Sequence, residues 1–208
     1  PRSFFKRKGL FLAMKYDLDQ INHLIQNRRS IFPKDYGRGE VTKEQITALL
    51  ENARWAPTHA MTQPWRFVVF HGEGCTDFGK WQAEEYKKQE GDDYNPSKYE
   101  KIIAKAEKAS AIIAIGLKRQ SSEKLPLVEE ISAVACAVQN IHLTATAMGL
   151  AGYWCTGGMT YTKVLRKHLG LKKNDSCMGL FYLGLPADPE KKHKSHRDDL
   201  KKVVEWRG

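Results

Sequence analysis

Ala56-Pro57-Thr58-His59-Ala60-Met61-Thr62-Gln63-Pro64-Trp65-Arg66-Phe67 separates two segments of different period. Upstream, residues 42–55 carry Ile46, Leu49, Leu50 and Ala53 at helical spacing, with a Thr42…Gln45 capping-box pattern at the start. Downstream, Phe67-Val68-Val69-Phe70 is a β-branched and aromatic run that suits a buried strand. Pro57 and Pro64 keep the connection out of helix and central strand. It also holds a Trp, a Met and a Gln, which is not the composition of a solvated loop. Two readings stand. A rigid connection with an apolar plate and an amide suits a flat, polar-edged ligand; alternatively, it is a tight connection in which Trp65 caps the core.

Outward from this stretch the pattern alternates helix and strand. Residues 17–27 read as a first helix, with Leu18, Ile21, Leu24 and Ile25 on one face and Asp17 as N-cap. After the 66–71 strand, His71-Gly72-Glu73-Gly74 reads as a turn. Residues 76–90 and 97–108 read as helices, the second with a Ser97…Glu100 capping box. Phe78 and Trp81 on this charged excursion are expected to act as a lid. Residues 110–117 form an apolar run expected to be a strand buried on both faces. Residues 126–148 are the longest helix, rich in alanine, and therefore central or at a subunit interface. A strand into the Gly157-Gly158 turn, a short helix at 160–169 and a last strand at 178–186 follow. Leu200, Val203, Val204 and Trp206 in the tail are expected to return to the core or to reach a partner subunit.

The length of 208 residues suggests one domain over residues 14–208. Residues 1–13 hold four basic residues and a short apolar run, too short for a signal sequence, and are expected to be a disordered extension. No apolar run approaches membrane-spanning length. Cys75, Cys136, Cys155 and Cys177 form no Cys-x-x-Cys pair, so no zinc site is expected and a reduced, cytoplasmic protein is the simplest reading. Cys155 has no second cysteine nearby and is read as packing. The 34 basic and 24 acidic residues leave a formal charge of +10, which fits an anionic cofactor, nucleic acid or a solvated surface. No aromatic-studded basic stripe accompanies it, so nucleic acid is not the expected partner.

Arg28-Arg29-Ser30, just after the first helix, is a compact phosphate grip: paired guanidinium donors with a hydroxyl beside them. The alternative is that these cations complement the helix C-terminus. No Gly-x-Gly-x-x-Gly, Walker, Gly-x-Ser-x-Gly or His-Glu-x-x-His motif occurs. His59 and His142 are read as satisfied polar residues rather than catalysts. Phosphate donors, an aromatic wall and glycine backbone without an acid–base pair indicate that a cofactor does the chemistry.

Taken in order, Arg28-Arg29-Ser30, the Ala56-Pro57…Gln63-Pro64-Trp65-Arg66-Phe67 stretch, the small-residue helix into Met148-Gly149-Leu150…Trp154, and Gly-Leu-Phe-Tyr-Leu-Gly-Leu-Pro at 179–186 resemble the FMN-dependent nitroreductase family. The resemblance covers about residues 16–206 and is closest to the compact bacterial members. It implies an α+β fold: an α/β/α sandwich with a mixed, mostly antiparallel sheet, in an intertwined homodimer with FMN at the interface. It assigns Arg28, Arg29 and Ser30 to the phosphate and ribityl end, with Arg197 completing phosphate binding. His59 and Gln63 match positions near the flavin. Trp154, Cys155 and Thr156 match the turn that lines the isoalloxazine, and Thr144, Ala145, Thr146, Ala147, Met148 and Gly149 match a segment toward the nicotinamide. The implied reaction is ping-pong hydride transfer from NADH or NADPH through the flavin to a small nitroaromatic or quinone-type acceptor. One departure is Met61, where many members have Asn. A different FMN reaction on this fold, or a basic nucleic-acid-binding module, are the alternatives.

Overall fold

The computed structural model describes residues 16–208 apart from 123 and 192; the expectation for residues 1–13 lies outside them. Six α-helices and four strands follow in the order α1 (Leu18–Asn27), α2 (Lys43–Ala53), β1 (Trp65–His71), α3 (Glu73–Glu90), α4 (Pro96–Glu107), β2 (Ala111–Leu117), α5 (Leu127–Ala147), β3 (Ala151–Cys155), α6 (Lys163–His168) and β4 (Ser176–Gly184). The strands form one sheet in the order β1-β2-β4-β3, with every neighbouring pair antiparallel. One parallel bridge, Ser30 to Gly152, extends it past β3 and makes the sheet mixed.

Central β2, Ala-Ile-Ile-Ala-Ile-Gly-Leu, is buried at every position, because helices cover both faces. Ile113, Ile115 and Leu117 face α2 and α5, packing with Leu49, Val134, Ile141 and Phe181. Ile112 and Ala114 face the α3, α4 and α6 layer, with Phe78, Ala106, Leu165 and Tyr182. Three layers result, with the sheet in the middle. Thr42 forms the expected capping box with Gln45.

Four expectations change. Helix α3 begins at Glu73, because Gly72 at φ 58° turns the chain directly into it. Helix α4 is capped by Asn95, which accepts from the Lys98 N–H, with Pro96 as its first residue, so the Ser97…Glu100 box does not form. Phe78 and Trp81 are not a lid: Phe78 is buried and stacks on Phe70 at 4.0 Å, and Trp81 stacks on His168 at 3.6 Å. The tail does not return to this chain's core, since Leu200, Val203, Val204 and Trp206 are exposed, Trp206 by 90%.

Candidate functional site

At the C-terminus of α1, the Arg28 N–H bonds to the Leu24 carbonyl and the chain turns extended. It runs beside β3, where the Ile31 N–H donates to the Gly152 carbonyl at 3.0 Å. Only glycine fits at 152, since a Cβ there would meet Phe181 Cζ at 2.6 Å and His142 Cδ2 at 3.3 Å. His142, on α5, donates from Nε2 to the Arg29 carbonyl at 3.0 Å, which fixes the tautomer and leaves Nδ1 to accept from Arg28 Nη1 at 3.2 Å. Arg29 donates from Nη1 to the Gln26 and Arg28 carbonyls and from Nε to the His193 carbonyl at 3.1 Å, so it ties the C-terminal segment to the end of α1. That tie carries Arg197 close to Arg28. Burial, then the Arg197 and Arg29 charges, depress the Arg28 guanidinium below its ordinary value. The Arg29 and Arg197 charges thus lie near enough to act on Arg28, two residues before the exposed Ser30, and these residue types together suit an anion with several oxygens.

Burial, followed by the Arg28 charge, pushes His142 down to about 4, against the pull of the Arg29 and Gly152 backbone. Neutral His142 therefore belongs to the fold, and between about pH 6.5 and pH 4 the unfolded chain binds more protons. Stability is full above the unfolded value and falls as pH drops through this window, by about 3 kcal/mol at most. A His142→Gln variant is expected to flatten this part of a urea-midpoint against pH curve, measured without flavin or phosphate. An unchanged slope would refute the assignment.

The remaining expected residues fall into two groups. Trp154 points to the α5 side and donates from Nε1 to the Met178 carbonyl at 3.1 Å, whereas Cys155 points to the α3–α4 side and Thr156 is exposed just beyond the strand. Beyond Gly152, β3 is the edge strand of the sheet among the described residues. At the end of α5, Ala145 is buried in the core, and Thr144 and Thr146 bond back to the Asn140 and His142 carbonyls. Ala147, Met148 and Gly149 are exposed beside the arginines' end of α5.

His59 and Gln63 lie at the other end. His59 pairs with Glu129 in the first turn of α5, whereas Arg28 meets His142 thirteen residues on, a separation of about 20 Å along the helix. Trp65 is buried in the α2–α5 core, so the capping reading holds for it. The stretch before it is strained: Ala60, Met61 and Gln63 have φ of 47°, 53° and 43°. The Thr58 hydroxyl accepts from the Gln63 N–H at 3.1 Å and bonds to Thr62 Oγ1 at 3.0 Å, holding this conformation. Non-glycine residues in the left-handed region each cost about 1 kcal/mol or more, and persist where neighbours over-determine them. One chain therefore carries two half-sites, one at each end of α5. The partners His142, Glu129 and Lys105 (hydrogen-bonded to Cys155) have no local sequence signal, because each contact spans 50 residues or more.

The profile of the Nitroreductase family matches residues 25–185. The chain belongs to that family. The Escherichia coli (strain K12) protein named "Putative NAD(P)H nitroreductase YdjA" is 32% identical over 167 residues, covering 78% of this chain and 86% of the relative. A solved nitroreductase-like family protein from Bacillus cereus superposes with a TM-score of 0.72 at 21% identity over 96% of this chain and 98% of that one, which shows the shared fold. A solved Desulfovibrio desulfuricans protein, described as a "putative nitroreductase in complex with fmn", has a TM-score of 0.68 at 25% identity over 90% of this chain and 96% of that one.

Proposed function

We propose that this chain is one protomer of an FMN-dependent NAD(P)H oxidoreductase that reduces nitroaromatic or quinone-type acceptors. The observation that carries the reading is that the Arg197 and Arg29 charges both act on Arg28, two residues before Ser30, whose bridge to Gly152 joins it to the edge of β3. Family membership, and the FMN and NAD(P)H in the names of similar proteins, support it. Arg28, Arg197 and Ser30 would hold the phosphate, with Arg29 positioning them. Trp154, Cys155 and Thr156 would flank the ring system through their backbone. Bound FMN supplies hydride transfer, in which donor and acceptor use the same face in turn and so give ping-pong kinetics. The protein supplies orientation, exclusion of water and positive charge. Met148 and Gly149 would meet the nicotinamide nucleotide.

The separation of the half-sites supports a homodimer. In a two-fold pair, the His59–Gln63 end of one α5 is free to meet the Arg28 end of the partner's. Exposed apolar residues on four segments supply surface for it: Leu18, Ile21 and Ile25 on α1; Trp55 after α2; Leu127 and Val128 at the start of α5; and Leu200, Val203 and Trp206 in the tail. The four free thiols support a reducing, cytoplasmic setting. Among the described residues no helix is long and apolar enough to cross a membrane.

The test is an absorption spectrum of the purified protein, with anaerobic NADH or NADPH added. The expected result is flavin bands near roughly 370 and 450 nm that bleach with a nucleotide and return with a nitroaromatic. Bands that bleach with dithionite but with neither nucleotide would move the assignment to another FMN reaction. No flavin after reconstitution would overturn it.

A further inference from the structure

On the α6 side of the sheet, the side chains of β2 shrink toward its end, from Ile112 to Ala114 to Gly116. Beside them lies a cavity of about 240 Å³, walled by Val68 of β1, Ala114, Leu169 and Leu171. A wider cavity, of about 790 Å³, adjoins it, and the two share Arg66, Lys118, Lys172 and Asp175. Lys118, Lys172 and the neighbouring Lys173 are exposed, and none forms an ion pair among the described residues. Arg66 is held in place by the Gln63 and Trp65 carbonyls, at 3.1 and 2.6 Å. Arg119, also in the wall, pairs with Glu130. Asp175 is the one carboxylate among the described lining residues, and both its oxygens are taken, by the Arg119 N–H at 3.0 Å and the Lys172 N–H at 2.8 Å. Positive charge is therefore in surplus. Gln120 lines the wider cavity, and its buried Nε2 has no hydrogen-bond partner among the described residues. A donor left this way is costly, and an arriving oxygen would satisfy it. This place is remote from the arginines: Leu117 pairs with Ser176, whereas Ala151, beside Gly152, pairs with Gly184, about 26 Å further along β4.

We propose that the two cavities together bind a small amphiphilic anion, an aliphatic chain with a carboxylate or phosphate head. The chain lies in the narrower cavity against Val68, Ala114, Leu169 and Leu171. At roughly 30 Å³ for each methylene-sized group, the share of one water in the liquid, that space holds about eight carbons. The head lies at the junction, where Arg66, Lys118 and Lys172 supply charge and Gln120 Nε2 adds a donor. An apolar slot alone would take any hydrocarbon, and a basic mouth alone any anion. Their junction selects a molecule that is both. The inference rests on this geometry and not on the flavin reading.

The experiment titrates the protein as isolated, with any bound flavin, in a calorimeter at pH 7 with octanoate, octyl phosphate, octan-1-ol and acetate. The tighter of the two eight-carbon anions identifies the head group. It is expected to bind about a hundredfold or more tightly than acetate, from the buried methylenes, and about tenfold more tightly than octan-1-ol, from the charge. Lys118→Met with Lys172→Met lowers the affinity for that anion about tenfold and leaves octan-1-ol unchanged. Val68→Trp fills the slot and brings the anion to the affinity of acetate. No binding of either anion, octan-1-ol binding as tightly as both, or an anion affinity that neither substitution changes would overturn the proposal. The four ligands compared on the unsubstituted protein decide it even where a variant does not fold. A missing flavin spectrum would bear on the proposed function only.

Discussion

Replacing Arg28 and Arg197 together with methionine lowers the affinity of the apoprotein for FMN by about 10²–10⁴-fold, taking roughly 1.5–3 kcal/mol for each charge-assisted hydrogen bond to the phosphate that is removed. The apoprotein itself does not melt much earlier. Arg28 gives up its hydrogen bond to His142 Nδ1, but the substitution also relieves the repulsion that depresses its own guanidinium. Among the described residues Arg197 is hydrogen-bonded within its own segment, to Ser195 Oγ at 2.8 Å and the His196 carbonyl at 2.7 Å, so its removal breaks no bond to a distant described element. Arg29 contrasts with both. Its donors bond to three carbonyls, those of Gln26, Arg28 and His193, so Arg29→Met lowers melting temperature and flavin affinity together. Fluorescence titration of apoprotein with FMN, with melting curves of the same samples, reads both quantities. An unchanged FMN affinity in the double variant would remove the phosphate role from this cluster.

What the sequence revealed depended on how local each determinant is. Helix α2 was legible because its period, its Thr42 cap and Gln45 lie within four residues of one another. Strand β2 was legible because seven successive residues carry the signature of a strand covered on both faces. The α4 cap was misread because two polar starters compete, and Pro96 favours the earlier one by pre-setting the first helical φ. Phe78 and Trp81 were misread because an apolar stripe on a charged helix reads the same whether it covers a ligand or a sheet; Phe70 and His168, far off in sequence, decide the matter. The site was legible only as separate pieces. Arg28-Arg29-Ser30 stood out as a local cluster, but Arg197 joined it through resemblance, since the tie through His193 spans 164 residues. The distance between His59 and Arg28 along α5 follows from which end of that helix each packs against, and no spacing in the chain encodes it.

Glu130→Ala is expected to cost about 3–5 kcal/mol, the range for breaking a buried ion pair from one side. Its side chain is 1% exposed and pairs with Arg119, itself 11% exposed. Glu130 also accepts from the Gln120 N–H at 3.2 Å, while Arg119 donates to the Leu125 carbonyl at 2.7 Å and, through its backbone, to Asp175 at 3.0 Å. These bonds fold the segment after β2 back onto the first turn of α5. Two neighbours join that bracket to the strained stretch: Lys118 donates to the Pro64 carbonyl at 2.7 Å, and Glu129 pairs with His59. Removing the carboxylate therefore leaves a poorly solvated guanidinium and loosens the support that holds Ala60 to Gln63 in the left-handed region. The melting temperature should fall by roughly 10 °C in a chain of this size. Replacing both partners, as Arg119→Met with Glu130→Leu, should recover most of the stability, because desolvation then costs neither charge anything. Urea unfolding of the single and double variants measures the difference. A single-variant cost below about 1 kcal/mol would place the pair with exposed salt bridges and leave the strain at Ala60, Met61 and Gln63 to be held by Thr58 and Thr62 alone.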